Sequence, residues 1–141
     1  MATIKTKADY YKGTQYFCPC NNNPNAARTG DCVIRAFAKA ANIEWLTAFD
    51  LLVKKARETY RIPNGKDNYE IVLQGYGFER KSVKVEKGKK RMTVEDFCKA
   101  HPKGRYCVSV ANHLTAVVDG VCYDIWNPAN RCVYLYYELK K

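Results

Sequence analysis

The chain has 141 residues, 47% of them hydrophobic, which suits one domain burying an ordinary core without disulfide or metal staples. Twenty-four Lys and Arg against fourteen Asp and Glu give a net charge of +10, which favours acidic partners. No apolar run approaches the roughly 20 residues of a membrane span, and the stretch from Met1 to Gly13 lacks the apolar segment of a secretory leader, so a cytoplasmic location is expected.

In chain order, residues 18–30 carry Asn21-Asn22-Asn23-Pro24-Asn25 and read as an extended loop. From Asp31, a good N-cap residue, apolar positions recur at helical spacing through Cys32, Val33, Ala36, Phe37 and Ala40. A second helix follows Trp45, with Thr47 and Asp50 resembling a capping box. A third is expected over Asn68 to Gln74, stopped by Gly75. Phe78 to Arg91 alternates around Lys87-Gly88 and reads as a β-hairpin. Its basic part, Arg80 to Arg91, reads as a solvated face, and the other basic cluster is the terminal pair Lys140-Lys141. Thr93 and Asp96 open another helix, which should stop before Pro102.

From Arg105 the pattern becomes β. Tyr106 to Val110, His113 to Val118, Val121 to Trp126 and Cys132 to Tyr137 are strand candidates, and Asp119-Gly120 is a strong hairpin signal. Helices first and an antiparallel sheet afterwards make an α+β plan. Residues 1–29 then form an N-terminal extension and loop, 30–101 a mainly helical part with a basic hairpin, and 102–141 the sheet of a single domain.

Seven cysteines in a chain without a leader read as thiols rather than a disulfide framework. Cys18-Pro19-Cys20 has no second pair of Cys or His at zinc-ligand spacing, so neither metal nor cofactor is expected. Cys32 stands apart because the first turn of its helix offers unpaired N–H groups and the positive end of the helix dipole. Both favour a thiolate and can stabilise an oxyanion. Cys98 falls within a helix, and Cys107, Cys122 and Cys132 fall in strand patterns that read as core. Of the two histidines, His101 sits at a helix end, where a histidine is favourable anyway. His113 opens a strand at the mouth of the sheet and can face a helix N-terminus.

Gly30-Asp31-Cys32 opening a helix, with His113 opening a strand whose hairpin runs to Asp124-Ile125-Trp126-Asn127-Pro128, resembles the papain-like cysteine peptidase superfamily. That superfamily includes papain, Josephin and OTU deubiquitinases, bacteriocin-leader peptidases and transglutaminase-like enzymes. The chain looks especially like a set of compact phage- and bacteria-encoded papain-fold proteins, on the strength of Gly30 to Ala36, Thr93-Val94 with Phe97, His101 to Tyr106, and His113 to Trp126. The resemblance implies a papain-like fold with its nucleophile at the first helix N-terminus and a Cys, His, then Asn or Asp site. The third residue is either Asp124 or Asn127. A two-residue Asp119-Gly120 turn makes Asp124 a diagonal neighbour of His113, whereas one more loop residue brings Asn127 opposite it. Asn127-Pro128 fits the transglutaminase-like pattern, and Asn127 is favoured. Papain-like enzymes also carry a Gln shortly before the Cys. None stands there, and Asn25 is the candidate oxyanion amide. Arg35 either flanks the site or holds the helix against an acidic group.

The reading that follows is a thiol hydrolase cleaving a peptide, isopeptide or side-chain amide of a protein, with deamidation or acyl transfer open to the same intermediate. Its partner is a protein or peptide substrate of acidic character. The alternative is a catalytically silent papain-fold protein of phage or bacterial origin that engages an acidic partner protein. Nucleic-acid binding through Arg80 to Arg91 ranks last, because aromatic and basic residues do not interleave there as in known motifs.

Overall fold

The computed structural model describes residues 4–140 and has an α+β architecture of four α-helices and a six-stranded mixed sheet. Met1 to Thr3 of the leader reading and Lys141 of the terminal basic pair lie outside the described residues. The elements are β1 (Phe17–Pro19), α1 (Cys32–Ala41), α2 (Trp45–Thr59), α3 (Lys66–Tyr76), β2 (Phe78–Ser82), α4 (Val94–Ala100), β3 (Arg105–Val110), β4 (His113–Val118), β5 (Val121–Asp124) and β6 (Leu135–Leu139). Strand order across the sheet is β1-β5-β4-β3-β6-β2.

Two apolar clusters hold the layers together. Val33, Ala36, Phe37 and Ala40 of α1 pack with Leu52 of α2, Leu73 of α3, and Leu114, Ala116 and Tyr137 of the sheet. Val94, Phe97 and Cys98 of α4 pack instead with Val108, Val117, Cys122 and Phe17. Alternate residues of β3 and β4 therefore serve different helices, as the two-residue repeat of a strand requires. Because both faces of β4 are covered, His113–Val118 reads as an almost continuous apolar run.

Several expectations need correction. The sheet is not wholly antiparallel, since β1 runs parallel to β5 with Phe17 opposite Cys122 and Pro19 opposite Asp124. The N-terminal extension thus supplies an edge strand, where a proline is tolerated. Phe78 to Arg91 is not a hairpin. Only Phe78–Ser82 is strand, and it pairs with β6, Phe78 opposite Leu139 and Ser82 opposite Leu135. Part of its basic charge is matched, Arg80 by Glu70 at 3.1 Å and Lys81 by Glu138 at 2.7 Å. α3 passes through Gly75 to Tyr76 and is capped by Gly77, whose φ of 124° only glycine adopts readily. α2 begins at Trp45 after Glu44, with no side-chain cap from the Thr47–Asp50 pair. The strands β5 and β6 end at Asp124 and Leu139. Cys132 therefore precedes β6, and it is exposed rather than core.

Other local signals match the structure. Thr93 and Asp96 form the capping box of α4. Asp119 and Gly120, at φ 49° and 78°, make the two-residue turn that sets Val118 opposite Val121. Among the described residues, no helix is long and apolar enough to cross a membrane.

Candidate active site

Cys32 is the first residue of α1, as its sequence setting requires. Asp31 occupies the N-cap position, yet its carboxylate does not cap the helix. It accepts instead from Arg35 Nε at 2.8 Å, Asn23 Nδ2 at 3.1 Å and Trp45 Nε1 at 3.0 Å. Asp31 is thus a buried junction between the preceding loop, α1 and the start of α2. The first turn of α1, at Cys32, is therefore left without a side-chain cap from Asp31.

α1 lies along β4 and brings its N-terminus beside the first residue of that strand. The Cys32 thiol and the His113 ring line one groove together with Leu114, and the imidazole and the Leu114 N–H both act on the protonation of the thiol. His113 Nε2 lies 2.6 Å from Asp124 Oδ2, leaving Nδ1 as the ring nitrogen for the thiol. The Trp126 ring packs against the imidazole at 4.7 Å between centroids.

Asp124, and not Asn127, is the carboxylate or amide that reaches His113. The reason is register. With a two-residue turn, Ala116 faces Tyr123, so Thr115 faces Asp124 and His113 is the diagonal neighbour of Asp124. Asp124 is 2% exposed, and both of its oxygens are saturated. Oδ2 accepts from His113 and from Thr115 Oγ1 at 2.6 Å, while Oδ1 accepts from Arg35 Nη1 at 2.9 Å and the Ile125 N–H at 2.7 Å. Asn127 is also buried, but its Oδ1 accepts from the Ala129 N–H at 2.9 Å and its N–H donates to the Tyr10 carbonyl. It closes the turn after β5.

Electrostatics follow from this chain of contacts. Burial raises the Cys32 pKa, but the hydrogen bonds from His113 and the Leu114 N–H outweigh it and hold the thiol below 9.0. Burial likewise lowers His113, and the Asp124 and Cys32 hydrogen bonds reverse that, raising it from 6.5 to about 9. Burial alone would push Asp124 up; His113, Thr115 and Arg35 keep it below 3.8. Cys20, Cys98, Cys107 and Cys122 go the other way from Cys32, with burial pushing Cys98 up to about 12. The arrangement favours a thiolate–imidazolium pair backed by a carboxylate.

Arg35 is the residue whose role the sequence left open between two readings. Its buried guanidinium spans Asp31 and Asp124, so one cation links the start of α1 to the end of β5. Asn25 does not join the site. It is exposed, its backbone N–H donates to Asn23 Oδ1 at 2.9 Å, and Asn23 rather than Asn25 reaches Asp31. His101 is occupied elsewhere, bonded to the Phe97 carbonyl at 2.9 Å and stacked on the Phe97 ring.

No protein-family model, no curated protein and no solved structure matches the chain. Its chemistry is therefore read from the site itself. An open groove of about 380 Å³ leads to Cys32 and His113 and adds Asn64, Lys66, Tyr69 and Ser109 to its lining. The Tyr69 ring meets that of Tyr137 edge-on, and the Tyr137 hydroxyl donates to Glu70 at 2.8 Å. None of these four lining residues carried a signal in the sequence, because only the packing of α3 against the sheet brings them beside Cys32. Among the described residues, no group of three or more His, Cys, Asp or Glu side chains is placed to hold a metal ion.

Proposed function

We propose that the chain is a papain-like thiol hydrolase that cleaves a peptide, isopeptide or side-chain amide of a protein. The observation that carries this reading is the meeting of Cys32, at a helix N-terminus, with His113 in one groove, His113 being held by Asp124 at 2.6 Å. In the reaction, the Cys32 sulfur adds to the amide carbonyl and the Cys32 N–H donates to the oxyanion. His113 then protonates the leaving amine as the tetrahedral adduct collapses to a thioester. Water, losing its proton to His113, attacks the thioester and releases the acid. Asp124 keeps the imidazole oriented and offsets its charge. Deamidation follows the same steps with ammonia as leaving group, and acyl transfer replaces water by an amine.

The test is thiol labelling with iodoacetamide near neutral pH, read residue by residue by peptide mass mapping. Cys32 should react fastest of the seven cysteines, and His113→Ala should slow it. Equal rates at Cys32 and the exposed Cys18 and Cys132, untouched by His113→Ala, refute the pair. The second reading is a silent protein of the same fold, of phage or bacterial origin, that engages an acidic partner. It draws on the +10 charge and on the groove lining, which does not include Asn25. A partner retained equally by the wild type and Cys32→Ala, with no hydrolysis of that partner, favours it.

A further inference from the structure

We propose that the groove beside Cys32 selects protein substrates with a carboxylate side chain next to the bond attacked, and that Lys66 is the residue that reads it. The proposal rests on Cys32 being the nucleophile and concerns what that nucleophile is offered.

The floor of the groove is apolar, built by Val33, Val110 and Leu114. Tyr69 and Ser109 add hydroxyls to its lining. At the mouth stand the exposed side chains of Asn64, Asn112 and Lys66. Lys66 is thus the one permanently charged side chain in the lining, and no Asp or Glu shares it. It has no ion-pair partner among the described residues, and its neighbour Asp67 is taken by Arg61 at 3.5 Å. The two carboxylates closest to Cys32 in the network, Asp31 and Asp124, are buried and both bound by Arg35. On the other side of His113, Arg131 lies over the Trp126 ring at 5.3 Å, again without an acidic partner among the described residues.

A substrate approaching the thiol therefore meets cations whose charge the protein has not matched. A carboxylate on that substrate gains an ion pair with Lys66, while a neutral isostere gains only the apolar floor. The volume of about 380 Å³ accommodates one or two residues rather than a folded domain. The selected feature is accordingly a single acidic side chain on an extended segment.

Two electrophiles test this on the full chain: the amide-capped N-iodoacetyl derivatives of aspartic acid and of asparagine, which differ by one charge and almost nothing in shape. In each case the Cys32 sulfur displaces iodide and forms a thioether, scored by mass mapping. Each rate is divided by the iodoacetamide rate at Cys32 of the same variant, which removes any change in the thiol itself. Wild type should prefer the aspartic probe. Lys66→Ala should lower that preference by about two- to fivefold, the range of a solvent-exposed ion pair. Lys66→Glu should lower it further, Lys66→Arg should keep it, and added salt should shrink it. An aspartic-to-asparagine ratio that is the same in wild type and Lys66→Glu, with Cys32 still the fastest thiol, overturns the selection and leaves the hydrolase reading standing. A wild-type Cys32 no faster than the exposed Cys18 and Cys132 toward iodoacetamide overturns the reading beneath it.

Discussion

Replacing Asp124 by Asn separates the role of its charge from that of its shape. The carboxylate receives four donors, from His113 and Thr115 on one oxygen and from Arg35 and Ile125 on the other. An amide offers one acceptor oxygen, so its NH2 group must face a pair of donors on one side or the other. Either choice weakens the hold on His113. The His113 pKa stands at about 9 against an ordinary 6.5, and at about 1.4 kcal/mol per pH unit the whole difference is roughly 3 kcal/mol. Asp124 shares the upward part with Cys32, so its loss lowers the His113 pKa and costs the imidazolium up to roughly that amount. The assay is the rate of Cys32 alkylation by iodoacetamide across pH. Below the depressed Cys32 pKa the sulfur is protonated, and above about 9 His113 loses its proton. The reactive ion pair occupies the window between those values. Asp124→Asn should narrow that window from both sides, by lowering His113 and letting the thiol rise toward 9.0. Near the acid edge the rate should fall about tenfold for each pH unit by which the pair's protonation shifts. A wild-type profile in Asp124→Asn would refute the argument that this carboxylate sets the protonation of the pair.

Asn127→Ala is the matching control: losing the Oδ1 acceptor for the Ala129 N–H should cost about 1–3 kcal/mol in urea unfolding while leaving the alkylation profile of Cys32 in place. Arg35→Ala strands two buried carboxylates and should cost about 3–5 kcal/mol by the same measurement, with Arg35→Lys recovering only part because one ammonium cannot reproduce the fork. Asp31 and Asp124 are both held below 3.8 in the folded chain, so their stabilisation is fully present above that pH and is lost as pH falls through their folded values. The urea midpoint should accordingly drop on acidification below about pH 4, and less steeply in Asp124→Asn. Hydrolysis of any amide substrate should decline as pH rises through about 9, where His113 gives up the proton that the leaving amine needs.

What the sequence made legible was local. The periodicity after Asp31 places α1, Thr93 and Asp96 cap α4, and Asp119-Gly120 fixes a turn, because each of these signals is written within a few residues. Pairings between distant segments were not legible. Phe17–Pro19 is too short and too close to a proline to read as a strand, and it becomes one only because β5 offers it an edge. The alternation after Phe78 is real strand character, but its partner is β6 rather than its own continuation. The same division runs through the site. Cys32 and His113 could be picked out from their immediate surroundings, whereas Lys66, Tyr69 and Ser109 enter only through tertiary packing. For Asp124 against Asn127, the turn length alone pointed to Asp124, and the Asn-Pro likeness pointed away from it.

Arg35 explains why the third position falls to a carboxylate here. An arginine 7% exposed needs compensating charge, and the end of β5 is where it meets the sheet. An asparagine at position 124 would leave Arg35 with Asp31 alone and His113 without a counter-charge. One aspartate meets both demands, because its two oxygens face opposite ways, toward the helix and toward the imidazole. The same side chain that fastens α1 to the sheet therefore sets the protonation of the histidine beside Cys32. Damage to the junction should then register twice, as lost stability and as a shifted thiol profile. An uncoupled site would show one without the other.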